Sequence, residues 1–139
     1  MEQEDYIKKQ IDRLGKVFGK ILADLLGFKN QADIQSGIEY VNQDFINELN
    51  LDLNELIVVS NEDFINTLLD TKKFSNENLE NLGDILLLLA EETEQGNSDN
   101  NKVRILNEKS LCIFEYIDHV SACYSIDRNS KIETIIRKL

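Results

Sequence analysis

A chain of 139 residues, 42% hydrophobic and 29% charged, with six Gly and no Pro, has the composition of an ordered domain, which excludes collagen-like, disordered and disulfide-dependent folds. Its 26 acidic side chains against 15 basic give a net charge of −11, which argues against wrapping a nucleic-acid backbone, where affinity comes from cations displacing counterions. The longest apolar run, Ile85 to Ala90, falls far short of the roughly twenty residues needed to cross a bilayer.

Apolar residues Ile7, Ile11, Leu14, Phe18, Ile21 and Leu25 alternate at spacings of four and three, which predicts one helical face over about 3–26. Glu2, Glu4 and Asp5 suit its first turn and Gly27 its end. Lys9, Arg13, Lys16 and Lys20 fall opposite the apolar stripe. That pattern suits a bundle helix with solvated lysines, a stripe pairing two subunits, or a helix lying on an anionic membrane.

A second helix over about 31–49 follows from Ile34, Ile38, Val41, Phe45, Ile46 and Leu49, running out in the turn-forming stretch Asn50 to Asn54. Leu56 to Val59 is a lone apolar run without a partner strand, read as a connector or short helix. Ser60 offers a cap for a short helix over about 61–70, and Ser75 one for a longer helix over about 76–95 carrying Leu79, Leu82, Ile85, Leu86, Leu88 and Leu89. The polar loop Gly96 to Asn100 is short, so the helix after it, over about 101–119, should run antiparallel. Ser125 or Asp127 opens a last helix over about 126–138, with Ile132, Ile135, Ile136 and Leu139 expected inward. The expected fold is all-α, about six helices in one domain, held by apolar stripes. A short echo, Asn42 to Asn47 against Asn61 to Asn66, is too brief to establish a repeat.

Charge is distributed unevenly along the chain. Residues 27–101 hold sixteen acids and three bases, whereas residues 102–139 hold seven bases and five acids. No basic side chain occurs between 74 and 101, so the helix over 76–95 presents an acidic outer face. Glu91, Glu92 and Glu94 are the candidate residues for selecting a basic partner, and Lys9, Arg13, Lys16 and Lys20 those of a second contact surface.

Motifs for chemistry are weak. Gly15 to Ile21 has three residues between its glycines where a phosphate loop needs four, and Ile21 stands where Ser or Thr would ligate magnesium. Cys112, His119 and Cys123 are a soft-ligand set lacking a fourth member and a CxxC pair. His119 is the sole histidine, so a Cys-His or Ser-His hydrolase would have to use it, and no nucleophile elbow accompanies it. No cofactor, no metal and no catalytic residue is expected. Two cysteines and an acidic N-terminal stretch without an export signal suit a cytoplasmic protein.

Residues Leu82 to Ile117 contain Leu88-Leu89-Ala90-Glu91-Glu92-Thr93-Glu94-Gln95-Gly96-Asn97, then Val103 and Asn107-Glu108-Lys109-Ser110-Leu111. This segment resembles one tetratricopeptide-type (TPR-like) helical hairpin, in which small residues let two helix backbones approach. It departs from that pattern in a longer loop, in Val103 and Ser110 where alanine is usual, and in lacking a closing proline. The run Asp5 to Ile11 with Leu14-Gly15-Lys16 and Ile21-Leu22 is similar to a family of short bacterial proteins with TPR-like folds and no established activity. The resemblance implies stacked antiparallel hairpins. The expected function is a protein-interaction or scaffolding module working through a protein partner or a homodimer, with no nucleic acid. The alternative is a membrane-peripheral or regulatory protein docking through the helix over 3–26.

Overall fold

Short polar side chains set where each helix begins. A computed structural model describes residues 52–71, 74–95 and 100–139, together with Gln43, which is helical and exposed. The helices expected over 3–26 and, Gln43 apart, over 31–49 lie outside the described residues, and with them Lys9, Arg13, Lys16, Lys20 and the segment Gly15 to Ile21. Helix α1 (Leu53–Ile57) begins where the Asp52 carboxylate accepts from the Asn54 amide at 2.9 Å. The lone run Leu56 to Val59 therefore starts as helix and ends as turn. Helix α2 (Asn61–Asn66) is capped by Ser60, whose Oγ accepts from the Asp63 amide at 3.3 Å and donates to its carboxylate at 3.1 Å. Such caps each contribute about 1 kcal/mol.

A π-helical turn, Thr67–Thr71, continues α2. The chain then closes with the Phe74 amide donating to the Leu68 carbonyl at 3.1 Å, and both side chains are buried. Helix α3 (Asn76–Gln95) starts on Ser75, helix α4 (Asn100–Val120) follows the loop, and helix α5 (Ile126–Lys138) is capped by Ser125, not Asp127. The described residues contain helices and turns and no strand. Among them, no helix is long and apolar enough to cross a membrane.

The centre of the packing is the hairpin of α3 and α4. Leu79, Leu82, Ile85, Leu86, Leu89 and Ala90 from α3 meet Leu106, Ile113 and Ile117 from α4, and Leu53, Leu56, Phe64 and Leu68 close one side. Helix α4 side chains crowd α3 at Gly83, where an added Cβ would stand 3.0 Å from two ring carbons of Phe114 and 3.2 Å from Ile113 Cγ2. At the same crossing, the buried Ser110 hydroxyl donates to the Gly83 carbonyl at 2.8 Å. A helix carbonyl with its backbone partner already satisfied gains a second donor there. Asn78 buries both polar atoms of its amide and Asn107 its Oδ1 without a hydrogen-bond partner, a cost of about 1–3 kcal/mol per group.

Candidate functional site

Helix α5 packs on α4 and reaches part of the acidic face of α3 through ion pairs. Arg128, 6% exposed along its side chain, reaches Glu80 of α3 at 3.4 Å and Asp118 of α4 at 3.3 Å. It also donates to the Cys123 carbonyl at 3.3 Å. Lys131 pairs with Asp84 of α3 at 2.7 Å and with Asp127 at 3.0 Å, and its ammonium lies 5.5 Å from the centre of the Phe114 ring. Lys138 pairs with Glu94 at 3.7 Å. Cations 128, 131 and 138 rise along α5 as acids 80, 84 and 94 rise along α3, so these two helices run parallel with α4 antiparallel between them in sequence.

Charge and packing account for the state of Lys131. Burial by itself would lower its pKa, but hydrogen bonds to the Asp84 and Asp127 carboxylates outweigh it and hold the ammonium above the usual lysine value. The carboxylates of the seat remain partly wet, Glu80 and Asp118 at 36% exposure and Asp84 at 30%. A bridge of that kind contributes modestly when exposed; where one member is desolvated, as Arg128 is, removing its carboxylate partners is costly because a buried charge is left unpaired.

Helix α5 is rotated by part of a turn from the arrangement its apolar pattern suggests. Ile135 is fully buried, but Ile136 is 56% and Leu139 51% exposed, and Ile132 is half-buried. The expectation that all four point inward is corrected to Ile135 alone. Arg128, Lys131, Ile135 and Lys138 share one face at spacings of three, four and three, and carboxylates on α3 and α4 draw that face inward. The displaced apolar face, with Asn129, Ile132 and Ile136, forms an open groove of about 490 Å³ with Glu115, Asp118 and His119 of α4.

Of the acids singled out from sequence, Glu94 is the one paired with Lys138, Glu91 is half-buried on α3, and the side chain of Glu92 lies outside the described residues. Glu80, Asp84 and Asp118, with Arg128 and Lys131, were missed. The signal for them was present: bases at 128, 131 and 138 match one helical face just as acids at 80, 84 and 94 nearly do.

Among the described residues, no group of three His, Cys, Asp or Glu side chains is placed to hold a metal ion, so Cys112, His119 and Cys123 do not form such a set. Both cysteines are free, Cys123 exposed and Cys112 half-buried. Burial pushes the Cys112 thiol up, partly offset by the Lys109 charge, and Glu115 and Glu108 push it further up. Lys109 is a buried clamp with no sequence signature. Its ammonium donates to the Val59 carbonyl and to Asn61 Oδ1, and lies 5.3 Å from the Phe64 ring centre. Burial draws its pKa below the ordinary lysine value, opposed by Cys112 and Glu108. It pins the turn between α1 and α2 to α4, at the negative end of the α1 dipole. No family model, no curated protein and no solved structure matches this chain.

Proposed function

We propose that this chain is a protein-interaction module, a TPR-like stack of antiparallel helical hairpins whose acidic surface takes a basic helical segment. The observation that supports this reading is the pairing of Arg128, Lys131 and Lys138 of α5 with Glu80, Asp84 and Glu94 of α3, an intrachain instance of a basic helix against that face. The close crossing at Gly83 and Ser110 supports the hairpin stack. A net charge of −11 speeds encounter with cationic segments and disfavours acidic ones.

The test is fluorescence anisotropy of a labelled basic amphipathic helix, and of its charge-reversed counterpart, titrated with the full chain. Binding of the basic peptide alone, weakened by salt and by Asp84→Lys/Glu94→Lys, is expected. Equal binding of both peptides, or none of either at low salt, removes the reading. Self-association is a second reading, supported by the solvent-facing Ile136 and Leu139. It requires a dimer by light scattering that Ile136→Glu converts to monomer.

A further inference from the structure

We infer that α5 is a built-in latch: a detachable helix that occupies the acidic seat of α3 and α4 in the closed chain and must swing off before a partner helix can use it. This inference rests on the interaction-module reading and specifies its regulation.

Three observations carry it. The hold on α3 is ionic, through Arg128, Lys131 and Lys138, and the apolar part is confined to Ile135 and the Phe114 ring beneath Lys131, while Ile126, Ile136 and Leu139 face water whether α5 is seated or not. Opening therefore exposes a small apolar patch, chiefly Ile135 and one side of the Phe114 ring. Second, the seat tolerates being empty. Glu80, Asp84, Asp118 and Glu94 already reach water at 36%, 30%, 36% and 55% exposure, so releasing Arg128, Lys131 and Lys138 leaves no carboxylate sealed and unpaired. Third, the α3–α4 hairpin does not depend on α5 for its own core, which is built from Leu79, Leu82, Ile85, Leu86 and Leu89 against Leu106, Ile113 and Ile117. Weakly buried elements of this kind open locally below the global unfolding free energy. The same stripe of Arg128, Lys131 and Lys138 then defines the competitor, a helix with cations at positions i, i+3 and i+10.

The probe is a synthetic peptide of residues 122–139, fluorescently labelled, titrated into the full chain and into the full-length variant Arg128→Ser/Lys131→Ser/Lys138→Ser. A seat open for no more than about a tenth of the time binds about tenfold more weakly than a free one. The variant is therefore expected to bind the peptide at least about tenfold more tightly than the wild type does. Equal binding to both overturns the latch while leaving the interaction reading standing; no binding to the folded variant overturns both.

Should the variant fail to fold, hydrogen exchange on the wild type decides. Amides of α5 are expected to exchange ahead of those in α4, and faster as salt rises from about 0.01 M to about 1 M, which shortens the screening length from about 30 Å to about 3 Å. Exchange of α5 in step with α4 at every salt concentration overturns the latch.

Discussion

Gly83→Ala sets two effects of similar size against each other. Mid-helix alanine is favoured over glycine by about 1 kcal/mol, because glycine gives up more backbone freedom on folding. Against that, the new Cβ arrives 3.0 Å from Phe114 Cε1 and Cζ and 3.2 Å from Ile113 Cγ2. Carbon atoms rest at about 3.5–4.0 Å, so α3 and α4 must part by roughly half an ångström or more, or the ring must tilt. The ring has little room, being fully buried with the Lys131 ammonium above it. Parting the helices also stretches the 2.8 Å bond from Ser110 to the Gly83 carbonyl. Overpacking of this kind costs about 1–3 kcal/mol, so the net expectation is a loss of about 1 kcal/mol, or about 3–4 °C in Tm for a chain of this size.

Urea unfolding followed by far-ultraviolet circular dichroism measures it. Phe114→Leu, which removes the clashing ring atoms, should cost at least about 0.5 kcal/mol less in the Gly83→Ala background than in the wild type. If Gly83→Ala stabilises the chain by the full propensity gain, or if Phe114→Leu costs the same in both backgrounds, the tight crossing is not what selects glycine there.

Four further outcomes follow from single observations. Asn78→Leu should stabilise by about 1–2 kcal/mol in urea unfolding, because it replaces a buried amide without partners by an apolar group of similar volume; destabilisation would show that the amide is satisfied in solution. Ile135→Ala should cost about 2–4 kcal/mol and Ile136→Ala under about 1 kcal/mol, and equally large costs would place α5 in the rotation that its apolar pattern predicts. With iodoacetamide, mass spectrometry should find Cys123 modified in the native protein and Cys112 only after denaturation, since Cys112 is shielded and its thiol is pushed up by burial; simultaneous labelling refutes this. Lys131 has a folded pKa above its unfolded value of 10.5, so its contribution is fully present below that pH and is lost as pH rises through the folded value. The stability gap between wild type and Lys131→Gln should therefore hold steady to about pH 10 and shrink above it, and a gap that widens there contradicts the assigned pairing.

Most helix positions over the described residues were legible in the sequence because each rests on local chemistry, a hydroxyl cap at Ser60, Ser75 and Ser125 and apolar residues at helical spacing behind it; the helix that Asp52 caps was not, since that stretch read as a turn. Residues Leu79, Leu82, Ile85, Leu86 and Leu89 were identifiable as core for the same reason. The acidity of α3 was equally plain from composition, which left it either a solvated surface or a face for a basic partner.

Tertiary structure decided the rest. That α5 itself takes the acidic face, and that it does so with Arg128 and Lys131 inward and Ile136 and Leu139 outward, depends on carboxylates contributed by two other helices. Apolar periodicity within α5 alone predicts the other rotation. Lys109 reads as an ordinary surface lysine until the turn at Val59 and Asn61 is folded over it, and Gly83 reads as a helix weakness until Phe114 is placed against it. Caps and hydrophobic spacing act over a few residues, so one segment of sequence specifies them. The hydrogen bonds of Ser110 to Gly83 and of Lys109 to Val59 act across 27 and 50 residues of sequence separation, and come into being only when packing brings the partners within a few ångströms.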